Sequence, residues 1–127
     1  MTVTPESIAG SSEASQMKAL FCWAALNLKT YPQLKFMAHI PNGGSRDVRE
    51  GANLKAQGVK KGIPDVGLFY PTNYAGLFIE MKTKTGSVSV EQQDWLDFLN
   101  SVGYKALICY SWIEARDCLV DYLEGRL

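Results

Sequence analysis

No apolar run in this sequence approaches the roughly 20 residues that span a membrane; the longest are strand-sized. The N-terminus lacks a charged segment followed by an apolar one, so secretion is not expected. The three cysteines, Cys22, Cys109 and Cys118, are odd in number, widely spaced and never arranged as CxxC. That argues against a zinc cage and for a reducing compartment. Each sits in an apolar pattern, where a free thiol packs as a small hydrophobe. The single histidine, His39, is too isolated for a metal cluster. A nucleotide P-loop, GxxxxGK followed by Ser or Thr, is missing. So are internal repeats, low-complexity tracts and any net charge; the last, taken alone, weakens the case for nucleic-acid binding.

The distribution of charge is more informative than its sum. Residues 1–45 carry a net of +1, residues 46–84 a net of +3, and the remainder a net of −4. The basic segment holds Arg46, Arg49, Lys55, Lys60, Lys61, Lys82 and Lys84. Such clustering attracts a phosphate backbone, although a solvated charged face reads the same way. At 127 residues the chain is sized for one domain with its own core. Residues 1–11 are small, polar and aperiodic, and are expected to fray. The domain is expected to occupy residues 12–127.

Periodicity predicts a helix from Ser12, capped by Ser11 or Ser12, with Leu20, Trp23, Ala24 and Leu28 on its apolar face and an end at Tyr31-Pro32. A strand follows at 34–40, then a turn-rich loop at 41–45. A short polar helix is expected at 46–57, stopped by Gly58. The basic connector 59–62 leads into a strand at 62–70, a hairpin loop at 71–74 and a second strand at 76–82. Ser89 opens a helix that Gly103 ends. Residues 104–110 read as a strand buried on both faces. Ser111 opens a last helix, with Glu114 completing a capping box. The order is α-β-α-β-β-α-β-α. Antiparallel neighbours and one right-handed parallel crossover give a mixed α/β sheet covered by helices.

Chemistry concentrates in the central hairpin. Asp65 opens one strand, and Glu80 and Lys82 lie in the next, inside otherwise apolar runs. Acidic groups in such runs are costly unless paired or metal-bound. Glu80 and Lys82 share a strand face with Phe78. Asp65 joins them only if paired residues have odd index sums, placing it opposite Glu80 or Lys82; an even register separates the carboxylates. Two carboxylates with water and a phosphate oxygen suit Mg²⁺. Such an ion activates water and offsets phosphate charge, and Lys82 can orient the attacking water. The plainer alternative is a buried Glu80–Lys82 or Asp65–Lys82 ion pair.

Pro64-Asp65 followed by Glu80-Met81-Lys82 resembles the PD-(D/E)xK nuclease superfamily. Glu13-Ala14-Ser15-Gln16, Pro41-Asn42-Gly43-Gly44, the run from Gly58 to Asp65, the run from Gly76 to Lys82, and the Ser89-Val90-Glu91-Gln92 segment are similar to its VRR-NUC branch, the virus-type replication-repair nucleases. The resemblance implies a restriction-endonuclease-like fold and a Mg²⁺- or Mn²⁺-dependent DNA nuclease. It implies Asp65, Glu80 and the Met81 backbone carbonyl as metal ligands, with Glu13 acting through water. Lys82 would be the catalytic lysine and Gln92 a helix glutamine at the site.

Local alternatives stand beside these roles. Glu13 favours its helix N-terminus through the dipole. Gln92 completes a capping box with Ser89. Trp95 reads as core rather than as a base-stacking platform, and His39 as a strand hydrogen bond rather than a phosphate contact. The loop Asn42, Gly43, Gly44, Ser45 and Arg46, with Lys55, Lys60, Lys61 and Lys84, is the expected DNA contact, against a plain turn and a solvated face.

Stand-alone members of the branch imply a phage-type protein of replication, recombination or repair, working in the cytoplasm (that of a bacterial host if phage-encoded). Branched or four-way junction DNA is the implied substrate. Two cuts per junction suggest a homodimer, with Tyr74 or apolar residues of the last helix at its interface. The alternative from another class is a catalytically silent DNA-binding module keeping the fold. A sequence-specific restriction nuclease ranks lower, because the chain is short.

Overall fold

β3 (Leu77–Met81) is buried along its whole length, which requires neighbours on both edges and cover on both faces. The computed structural model describes residues 2–41 and 48–127 and supplies both. Among the described residues four strands form one mixed sheet, in the order β1 (Met37–His39), β2 (Val66–Leu68), β3, β4 (Lys105–Cys109). β1–β2 and β2–β3 are antiparallel, and β3–β4 is parallel. The parallel pair needs a crossover, provided by α4 (Val90–Ser101).

Strand alternation sends the two sides of the sheet into different cores. Val66, Leu68, Leu77, Ile79 and Met81 pack against α2 (Glu13–Leu26) and α5 (Trp112–Leu123). Phe78 and Ala106 pack against Leu96 and Leu99 of α4. The helices therefore lie on both faces, as the element order requires.

Several local expectations change. The described part of the segment expected to fray carries local structure. Thr4 caps a one-turn helix, α1 (Pro5–Ile8): the Ser7 N–H donates to Thr4 Oγ1 at 3.1 Å and the Thr4 N–H to Ser7 Oγ at 3.0 Å. Pro5 is buried, and Ile8 and Ala9 pack on the larger core. Gln16 then ties this segment to the far end of the chain. Its Nε2 donates to the Gly10 carbonyl at 2.6 Å, and its Oε1 accepts the Trp112 N–H at 2.8 Å.

α2 ends at Leu26 with Asn27 as its cap, short of Tyr31-Pro32. Pro32 instead starts a 3₁₀ helix, Pro32–Phe36, as suits a residue with fixed φ and no N–H. That helix takes the first half of the expected 34–40 strand. α3 (Val48–Ala56) has no buried residue. β4 is an edge strand, so only Ala106 and Cys109 are buried along it rather than the whole run. At α5, Ser111 Oγ accepts the Glu114 N–H, but Glu114 Oε1 accepts from Tyr110 N–H at 3.4 Å, so the capping box is half formed. No helix among the described residues is long and apolar enough to cross a membrane.

The exposed edge of β4 is blunted from within. The backbone of Ala106 points away from β3, and Asn100 at the end of α4 catches both its groups: Nδ2 donates to the Ala106 carbonyl at 2.9 Å and Oδ1 accepts its N–H at 2.9 Å. Asn100→Ala leaves two edge groups without these partners. We expect it to lower stability by roughly 1–3 kcal/mol, read from the urea midpoint at unchanged slope.

Candidate functional site

The hairpin pairs Val66 with Ile79, Gly67 with Phe78 and Leu68 with Leu77. Every index sum is odd, so one step further along the ladder Asp65 stands opposite Glu80, on the face shared with Phe78. This is the register on which joint action of the two carboxylates depends.

Each carboxylate is held by a different element. Asp65 Oδ2 accepts the Met81 backbone N–H at 3.0 Å. The Asp65 carbonyl is fixed to β1 by the Ile40 N–H at 2.6 Å and by His39 Nδ1–H at 3.0 Å. Glu80 is 2% exposed. Its Oε2 accepts from Gln92 Nε2 at 3.1 Å, with Lys82 Nζ at 3.9 Å from the same oxygen. Glu80 Oε1 is buried and receives no hydrogen bond.

Burial pushes the Glu80 carboxyl up to about 8. The neighbouring Asp65 carboxyl adds to the rise, Lys82 opposes it, and Glu13 adds a smaller push. Two carboxylates this close need a proton or a cation between them.

The donor set fits a hard divalent cation. Asp65 and Glu80 Oε1 offer carboxylate oxygens, and Met81 offers a carbonyl. The β2–β3 ladder ends at Val66–Ile79, and Pro64, two residues before it, has no N–H with which to prolong the pairing toward the Met81 carbonyl. Among the described residues no three His, Cys, Asp or Glu side chains form a cage by themselves. Glu13, in the first turn of α2, lines a groove of ≈ 410 Å³ with Lys18, His39, Asp65 and Met81.

Gln92 holds two positions at once. It completes the capping box of α4, with its N–H on Ser89 Oγ at 3.1 Å and its Oε1 accepting the Ser89 N–H at 2.9 Å. The remaining amide N–H₂ is thereby aimed at Glu80. Gly62 sets the seat of that helix. Its φ is +90°, and a Cβ there would lie 2.6 Å from the Glu91 carbonyl carbon and 2.8 Å from the Gln92 nitrogen.

The remaining sequence candidates separate. Lys55, Lys60, Lys61 and Lys82 line one cavity of ≈ 580 Å³ beside the carboxylates. Lys61 also pairs with Glu91 at 3.3 Å. Lys84 is exposed and does not line that cavity. Asn42, Gly43, Gly44, Ser45 and Arg46 lie outside the described residues. Trp95 packs against the Phe78–Leu96 core. Tyr74 does not project from the hairpin tip as an interface residue: it stacks on Tyr122, whose hydroxyl donates to the Tyr70 and Tyr74 carbonyls. Cys22, Cys109 and Cys118 are free, with Cys109 in the larger core.

Pro64, Gly62 and Gln16 were not singled out as functional from the sequence. For Pro64 the signal was present, a proline one residue before the carboxylate in a strand that must pair.

A family model described as the VRR-NUC domain matches residues 14–112. A solved structure described as a "VRR_NUC domain protein" superposes with a TM-score of 0.75 at 23% identity, covering 91% of each chain. At that identity the likeness is one of fold. No curated protein matches the sequence.

Two outcomes follow from this geometry. A Glu80 carboxyl raised from 4.5 to about 8 means that the folded chain binds more protons than the unfolded one between those values. Stability in chelator therefore falls as pH rises through that window. Urea unfolding at a series of pH values measures the slope, and Glu80→Gln is expected to flatten it. Gly62→Ala forces α4 to shift; loss of the Gln92–Glu80 contact, read as a changed amide resonance of Gln92 by NMR, is expected in a chain that remains folded.

Proposed function

The chain belongs to the VRR-NUC family, and on that premise we propose that it is a divalent-metal-dependent nuclease hydrolysing phosphodiester bonds in DNA. Branched DNA, four-way junctions above all, is the favoured substrate, in phage-type replication, recombination or repair. The observation carrying this reading is the buried Glu80, facing Asp65 with one oxygen unclaimed and Lys82 beside the other.

Asp65, Glu80 and the Met81 carbonyl would hold Mg²⁺ or Mn²⁺, with Glu13 reaching it through water. Bound there, the ion supplies Lewis acidity at a phosphoryl oxygen and offsets developing negative charge. Lys82 is 11% exposed in its side chain, so its ammonium is partly desolvated and its field is strong at short range. It orients the attacking water and stabilises charge on the phosphate. Gln92 holds Glu80 Oε2, which leaves Oε1 without a hydrogen-bonding partner. Lys55, Lys60 and Lys61 position the backbone without reading sequence. Two cuts across one junction need two such sites, hence a symmetric homodimer.

Plasmid and four-way junction DNA are the test substrates, with Mg²⁺ and with Mn²⁺. Cleavage by the wild-type chain is expected, and Asp65→Ala and Lys82→Ala are each expected to lower kcat by about 10²–10³. Binding without cleavage across metals and substrates would make the chain a silent DNA-binding module. An Asp65→Ala chain that cuts like wild type would show that the site is elsewhere. Sedimentation at micromolar concentration tests the dimer, and a monomer that resolves junctions symmetrically overturns it.

A further inference from the structure

Two cavities flank the carboxylate pair, and they differ in sign. The groove beside Glu13 and Asp65 is acidic on one wall. The larger cavity, ≈ 580 Å³, carries four lysines and no carboxylate among its described lining residues. Among these lysines Lys61 pairs with Glu91 and Lys82 lies 3.9 Å from Glu80, while Lys55 and Lys60 line the space.

The cavity also has an apolar floor, and the way α3 ends explains it. The Val59 N–H donates to the Leu54 carbonyl at 3.0 Å and the Gly58 N–H to the Lys55 carbonyl at 3.0 Å, with Gly58 at φ +95°. This is a Schellman ending, which brings Leu54 and Val59 side by side. In most helices that apolar pair seals against the protein. α3 buries no residue, and here both side chains are half-buried and line the cavity. The opposite wall is the connector seated on α4 at Gly62, where no Cβ fits.

Paired-strand phosphates need cations on an open track; they do not need an aliphatic floor in a recess. A volume of ≈ 580 Å³ lies in the range of small-ligand pockets, about 300–1,000 Å³. We propose that this cavity binds one unpaired nucleotide of the strand being cut, next to the scissile phosphate. Its phosphate lies against Lys55 and Lys60, and its sugar and base lie on Leu54 and Val59. Lys82, at the boundary between cavity and carboxylates, marks where the strand passes to the site. No aromatic side chain is among the described residues lining the cavity, so the base is accommodated rather than stacked, and its identity is not read. The inference rests on the nuclease reading for which phosphate lies next door, but occupancy of the cavity needs no cleavage.

Binding to the Asp65→Ala chain in chelator tests it, by fluorescence anisotropy with a short oligothymidylate and with a blunt hairpin duplex. Val59→Trp fills the cavity and is expected to weaken the oligothymidylate by about tenfold or more, with the duplex changed far less. Equal losses on both probes, or none on either, overturn the proposal. If Val59→Trp does not fold, the unaltered chain decides: thymidine 5′-monophosphate must shift the methyl resonances of Leu54 and Val59, and unmoved methyls at saturating nucleotide sink the idea. A chain that cuts DNA but fails these tests loses the pocket and keeps its nuclease function. One that passes them but cuts nothing does the reverse.

Discussion

Two carboxylates set directly opposite one another across a hairpin repel, and burial amplifies the repulsion. Asp65 and Glu80 stand in that relation, and much of the surrounding structure restrains them. The Met81 N–H holds one, the Gln92 amide holds the other, and Lys82 supplies a counter-charge to Glu80 alone. These three groups come from the strand itself, from a helix cap and from the next residue on the same face. None could act if the hairpin slipped by one residue, because Glu80 and Asp65 would then face opposite sides of the sheet.

The fold guards that register from several directions. Val66 and Leu68 on one strand, and Leu77, Ile79 and Met81 on the other, all enter the larger core, so slipping either strand by one residue would turn its whole apolar set out of that core. Tyr122 ties down the hairpin loop with one hydroxyl on two carbonyls. Asp65's own carbonyl is clamped by β1. The energetic cost of the buried Glu80 beside the half-buried Asp65 is thus supported by apolar burial elsewhere, a pattern in which a destabilised locus survives because its surroundings over-determine it.

The hairpin, its carboxylates and the two-sided sheet were legible in the sequence because they rest on strong local signals: alternation, a turn of fitting length, and acids where apolar residues belong. Ser89 with Gln92 was legible for the same reason. α1 was not, although Thr4 and Ser7 carry its cap, since a single turn is stable only through Pro5 and Ile8 reaching the core. The apolar pattern at 34–40 does not separate a 3₁₀ turn from a strand, and Pro32, whose fixed geometry can end one helix, also begins the next. The edge position of β4 was hidden because residues 104–110 are apolar throughout; half of that surface is covered by α4 and α5 rather than by another strand. Alternation put Glu80 and Lys82 on one face and brought Asp65 there only on condition of an odd register, whereas Glu13 and Gln92 came from resemblance, since spacing along the chain does not say which helices converge on a strand end.

Asn100 has a meaning beyond local stability. By holding both outward groups of Ala106, and with the Tyr104 N–H already donated to Leu99 at 3.1 Å, it leaves that border of the sheet little to offer an incoming strand. A second copy, or any extended peptide, meets no free backbone group at Ala106 with which to lengthen the sheet. At this border self-association is left to side-chain surfaces, whose shape limits how many copies can join, rather than to backbone pairing, which sets no such limit.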